Sequence, residues 1–172
     1  MPEVSGIAYY EQMTKRKKLT IMSEHYHGQM HFLFGLLAWV FGMIIFGGDQ
    51  ASLLIVALLG AYIPDADHLL FIFWYGRQTR YAIEVRECLL GDGLLTCIDY
   101  IKKNHKGNTK ILSHNMLFVA LAMFLSSWFV YTSQRLWGVF FLSWSLHYIF
   151  DILEDLLFFG KLNGNWRLRF GK

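Results

Sequence analysis

Cysteine and proline are scarce, with two of each in 172 residues. Cys88 and Cys97 are nine apart and form no C-x-x-C pair, which argues against both a disulfide framework and a zinc knuckle. No cleavable signal is evident. The opening MPEVSGIAYYEQMTKRKK is polar, and the first apolar run is expected to stay in the mature chain. Charge of one sign is also in short supply. The net charge is only +3, and the basic residues flank apolar segments without forming a stripe, so nucleic acid is not expected as a partner. Neither solenoid-length repeats nor low-complexity tracts occur.

Apolar surface is what the chain has in abundance. Hydrophobic residues make up 55% and aromatics 17%, and the mean hydropathy of +0.33 lies above that of ordinary soluble domains. Four apolar segments, near 31–47, 52–75, 112–131 and 136–159, each approach the ~20 residues a helix needs to cross a hydrocarbon core. GGDQ joins the first two and TSQR the last two, and links this short imply antiparallel hairpins. The expected fold is all-α, an integral membrane four-helix bundle in a single domain. Residues 76–111 are expected to form one or two short helices at the membrane surface. Lys15, Arg16, Lys17 and Lys18 precede the first span, Arg77 to Lys110 include seven basic residues between spans two and three, and Lys161, Arg167, Arg169 and Lys172 follow the last. Only Arg135 falls on the other side, so the positive-inside rule puts both termini and the 76–111 insert in the cytoplasm.

Within these spans lie ionisable residues that a bilayer penalises. The stretch AYIPDADHLL at 61–70 places Asp65, Asp67 and His68 inside span two, while His31 opens span one, His114 span three, and His147 and Asp151 sit in span four. All fall in the cytoplasmic half. A charged side chain at the membrane centre costs at least ~2.5 kcal/mol, so several at one depth are expected to face inward and compensate one another. His147 and Asp151 are i and i+4 on one helical face, with Glu154 and Asp155 continuing the stripe, and His27 and His31 repeat the spacing. Pro64 removes a backbone donor and is expected to break span two, turning Asp65 and Asp67 toward a shared centre.

Mixed imidazole and carboxylate ligands suit Zn, Mn or Fe rather than Ca or Mg. One or two divalent ions would offset the desolvation of the acids, and a pair about 3.5–4 Å apart would activate water for in-line attack on a phosphoester. Blander roles stand beside these. Asp65 or Asp67 could cap a helix after Pro64, and His147 with Asp151 could be an interhelical pair that glues the bundle. His25, His27 and His105 are read as solvated, and Glu154 and Asp155 as surface acids.

Together, MHFLFG at 30–35, GAYIPDADH at 60–68, SHN at 113–115 and HYIFD at 147–151 resemble the YdjM-like family of inner-membrane, metal-dependent hydrolases. The resemblance implies a small multi-span protein of the inner membrane with a divalent metal site, hydrolysing a phosphoester or lipid-like substrate. Carried residue by residue, it puts His31, Asp65, Asp67, His68, His114, His147 and Asp151 at the metal. The chain departs from the family's His-Arg-Gly-x-Thr-His-Ser pattern, with Thr109 where the first His would be and Lys110 where the Arg would be.

The combined expectation is a metal-dependent hydrolase of a lipid or lipid-linked substrate. Zn is the first choice of ion, and Asp67 and His114 serve as general base or acid. The rivals are a transporter or channel component relaying protons or a cation through the same residues, and a membrane scaffold using residues 76–111.

Overall fold

A computed structural model of the chain describes residues 6–108 and 111–167, and among them there are helices and no strands. In chain order these are α1 (Gly6–Phe46), α2 (Gln50–Tyr62), α3 (Ala66–Leu70), α4 (Arg80–Gly91), α5 (Leu94–Asn108), α6 (Met116–Tyr131) and α7 (Arg135–Glu154). Short tight or wide turns extend several of them. The fold is therefore the expected all-α one. Three runs are long and apolar enough to cross a membrane, His25–Phe46, Gln50–Tyr75 and Arg135–Phe159, and α6 is a shorter apolar helix of 16 residues.

Helix ends follow local chemistry. Gly47 and Gly48 adopt φ of +61° and +84° between α1 and α2, a region that favours glycine, and Asp49 then caps α2 by accepting from the Ala51 amide at 3.1 Å. Asn115 caps α6, its side chain accepting from Leu117 and Phe118 amides at 2.9 and 3.2 Å. That cap sets the start of α6 at Met116, four residues later than the hydropathy profile suggested for span three. Ile111 is apolar because it packs against the α4–α5 hairpin, outside any helix. At Pro64 the helix does not stop. It tightens into a 3-10 turn over Ile63–Asp65, resumes as α3 and widens into a π-helical turn over Phe71–Tyr75.

Helix α7 packs against α1, α2 and α6. Small residues line these contacts: Gly35, Ala38 and Gly42 on α1, Ala57, Gly60 and Ala61 on α2, Gly138 and Ser143 on α7. A Cβ on Gly42 would sit 2.4 Å from a Val139 methyl, and one on Gly60 would sit 2.3 Å from the Phe140 carbonyl oxygen. The large apolar side chains point outward instead, among them Leu33, Phe41, Ile44, Ile55, Phe124 and Trp128. Small residues inside and bulky ones outside is the pattern of helices packed in lipid, where close backbone approach holds the bundle together.

The insert forms two helices, α4 and α5, with a core of their own around Tyr81, Val85, Cys88 and Cys97. Arg86 ties this hairpin to the end of the second span, donating to the Ile72 carbonyl at 2.6 Å and the Arg77 carbonyl at 2.7 Å. Tyr100 donates to Glu84, which also pairs with Arg80, and these two contacts hold the Glu84 carboxyl below the usual range. His31, Asp65 and Asp151 each lie about four helical turns from the loops at 47–49 and 132–134, so the topology brings them to one level.

Candidate metal centre

The i, i+4 pair His147 and Asp151 on α7 forms one wall of the centre, both buried. His31 reaches it from α1, Asp65 from the 3-10 turn at Pro64, and His114 from the extended residues that precede α6. The Nε2 atoms of three histidines surround the two carboxylates. His147 lies 3.2 Å from Asp151 and 3.7 Å from Asp65. For His114 the corresponding separations are 3.3 and 4.0 Å, and for His31 they are 3.6 and 3.9 Å.

Hydrogen bonding on the far side of the rings decides what these nitrogens present. His147 Nδ1 donates to the Ala61 carbonyl at 2.7 Å, which leaves Nε2 of a neutral ring as a lone pair. Ala61 lies just before the 3-10 turn, where the regular helical ladder is interrupted at Pro64. The Nδ1 of His114 sits 3.1 Å from Ser113 Oγ, again leaving Nε2 toward the acids. His147 Nε2 and Asp151 Oδ1 are buried with no hydrogen bond. The His147 lone pair thus faces the Asp151 carboxylate at 3.2 Å, acceptor against acceptor, an arrangement that a cation or an added proton must neutralise.

The dimensions suit a cation. With metal–nitrogen bonds of about 2.0–2.1 Å, ligand atoms around one ion stand about 3–3.6 Å apart, and the nitrogen–oxygen separations run from 3.2 to 4.0 Å. His31, His147 and Asp151 form one group able to hold an ion, and Asp65, His68 and His114 form another. Of the seven residues expected at the metal, six therefore belong to such groups. His68 is half-buried, with its ring 5.3 Å from that of His114.

Asp67 is the exception: of the two roles expected for it, a ligand or a group that orients ligands, its contacts match the second. One of its oxygens accepts from Tyr75 Oη at 3.0 Å and the other from the Ser113 amide at 2.7 Å. Positions i and i+2 point to different sides of a helix, and Asp67 is turned to Tyr75 and Ser113 while Asp65 is turned to the histidines. Asp67 instead anchors the bent segment that carries His114. Asp67→Ala is expected to cost about 1–3 kcal/mol, the range for leaving such partners unmet. It should also weaken metal binding through a displaced His114. Thermal unfolding and metal titration of the purified variant check both effects, with Asp67→Asn retaining part of the stability.

The structure adds residues that were read as solvated. Glu154 and Asp155 are 1% and 3% exposed. Glu154 accepts from His27 Nδ1 at 3.1 Å, and His27 Nε2 lies 2.9 Å from His31 Nε2. Asp155 accepts from the Trp166 indole at 2.8 Å and the Asn163 amide at 2.9 Å, and Trp166 in turn leans on the His114 ring with centroids 5.8 Å apart. The signs of this in the sequence are that Glu154 and Asp155 continue the stripe of His147 and Asp151 and that His27 lies four residues before His31. Thr109 and Lys110, where the family pattern departs, lie outside the described residues, as does the side chain of His105.

No curated protein and no solved structure matches the chain. A family model described as YdjM inner membrane protein matches residues 27–158, a stretch that takes in every acid and imidazole of the centre from His27 to Asp155. With more than half its length matched and its apolar helices built to sit in a bilayer, the chain belongs to the YdjM inner membrane protein family.

Proposed function

We propose that the protein is a metal-dependent hydrolase embedded in the inner membrane, acting at its cytoplasmic side on a phosphoester of a lipid or lipid-linked substrate. The observation that carries this reading is the buried meeting of the His147 Nε2 lone pair with the Asp151 carboxylate, with Asp65, His31 and His114 gathered around them within 4.0 Å. A divalent ion bound there would supply Lewis-acid polarisation and a water of lowered pKa.

The chain's own groups give that chemistry a direction. Asp65 is the most open of the five, with a third of its side chain exposed, so substrate approaches from the α2–α3 side. An open apolar groove on the outer face of α2 and the turn after it, lined by Ile55, Leu58, Leu59, Tyr62, Ile63 and Ala66, suits a hydrocarbon chain. His68, on the open rim, is positioned to hand a proton to a leaving oxygen. His114 is held by Ser113 and Trp166 and serves as a fixed ligand. The basic flanks support a topology of four crossings with both termini inside.

Elemental analysis of the full chain, purified in detergent without chelator, is expected to give Zn, Mn or Fe in stoichiometric amount. Hydrolysis of a vesicle-borne phospholipid or polyprenyl phosphate should stop on chelation and return on readdition of the ion. A chain free of transition metal whose histidines are protonated by NMR would instead make the cluster an imidazolium–carboxylate glue and sink the hydrolase.

A further inference from the structure

The two carboxylates at the heart of the cluster divide their oxygens between two sides. Asp151 Oδ2 faces His147 and His114 at 3.2 and 3.3 Å, while its Oδ1 faces His31 at 3.6 Å. Asp65 repeats the division, with Oδ1 toward His147 and His114 at 3.7 and 4.0 Å and Oδ2 toward His31 at 3.9 Å. The rings of His31 and His147 stack nearly parallel, 18° apart, with centroids separated by 4.0 Å. Each ring therefore addresses a different oxygen of both acids, and the 4.0 Å between the rings matches the roughly 3.5–4 Å between the metals of a two-ion site.

The His31 side has a second imidazole. His27 Nε2 lies 2.9 Å from His31 Nε2, close to the roughly 3 Å edge between neighbouring nitrogens on one ion with bonds of about 2.1 Å. Glu154, 1% exposed, meets His27 Nδ1 at 3.1 Å and so turns Nε2 toward the centre, as carboxylates behind metal-bound histidines do. Asp151 Oδ1 is buried, aimed into this side, and without a hydrogen bond.

We propose that the centre is built for two divalent ions bridged by Asp65 and Asp151, the first held by His114 and His147 and the second by His31 and His27, with Glu154 orienting His27. This rests on the metal-dependent reading and adds to it a second ion and two residues, His27 and Glu154. The bridging geometry makes the substrate class a phosphoester whose two non-bridging oxygens span the pair, entering over Asp65.

The test is Mn(II) loading of the full-length protein in detergent, read by elemental analysis and by the exchange-coupled EPR signal of a Mn(II) pair. The wild type is expected to hold two ions per chain and to show the coupled signal. His27→Ala is expected to hold one ion and give an uncoupled six-line spectrum. Glu154→Gln should weaken the second ion by 10- to 100-fold, as loss of an outer carboxylate does, while the first stays bound. His68→Ala is expected to keep both ions. A wild type with a single uncoupled ion overturns the two-ion assignment and leaves the metal-dependent reading standing, whereas a wild type with none overturns both. Loss of the coupled signal in His68→Ala but not in His27→Ala would place the second ion on the His68 side and also refute the assignment.

Discussion

Asp151→Ala is expected to abolish stoichiometric metal binding and to lower any hydrolysis by more than about 100-fold, the upper end of what losing a mere outer partner costs a metal site. The reason is its position. Among the described residues Asp151 is the one side chain that lies within 3.6 Å of His31, His114 and His147 together, and it is buried. Without it three imidazoles converge on Asp65 alone. Asp151→Asn is the informative companion, because it keeps the volume and removes the charge. Both variants should bind ions at background level by elemental analysis. Linkage supplies a second measurement, since an ion at 1,000 times its Kd stabilises the folded chain by about 4 kcal/mol. Chelation is therefore expected to lower the Tm of the wild type and leave that of the Asp151 variants unmoved. Equal chelator sensitivity in all three would show that Asp151 is no ligand.

Gly60→Val is expected to produce the largest loss of stability without touching any acid or imidazole. A Cβ at Gly60 would lie 2.3 Å from the Phe140 carbonyl oxygen and 3.0 Å from Ser143 Cβ, so α2 and α7 must move apart. Two hydrogen bonds stitch the same contact, Ser143 Oγ to the Ala57 carbonyl at 2.6 Å and His147 Nδ1 to the Ala61 carbonyl at 2.7 Å. Overpacking of about 1–3 kcal/mol and two strained bonds worth about 1 kcal/mol each give about 3–5 kcal/mol in total. Unfolding in detergent measures it, with Gly91→Ala as the control, because a Cβ there meets nothing within 4 Å. A variant as stable as the wild type would mean that the helices do not approach as closely as described. Because the separation also releases Nδ1 of His147, metal affinity should fall along with stability.

Much of this centre could be read from spacing along the chain. His147 and Asp151 share a helical face by their i, i+4 register, and an acid pair after Pro64 within an apolar run demands compensation wherever the helices go. Choosing between Asp65 and Asp67 required the rotation of the helix at the 3-10 turn, which hydropathy does not encode. Glu154 and His27 were misread for a related reason. Each looks solvated beside its own polar neighbours, and only the packing of α1 on α7 buries one against the other. Trp166 lies beyond the last apolar segment and reaches His114 through a chain reversal at Gly160, whose φ is +70°. Contacts between elements distant in sequence leave no periodic trace, whereas those within a helix do.

The late start of α6 has a mechanical consequence for the surrounding lipid. A helix of 16 residues is about 24 Å long, some 6 Å short of the ~30 Å hydrocarbon thickness. If α6 crosses, local thinning of the bilayer beside it is one way to relieve a mismatch of this sign. His114 stands at the truncated end, so thinning there would bring headgroups toward the level of the imidazoles, the approach that the proposed lipid substrate requires.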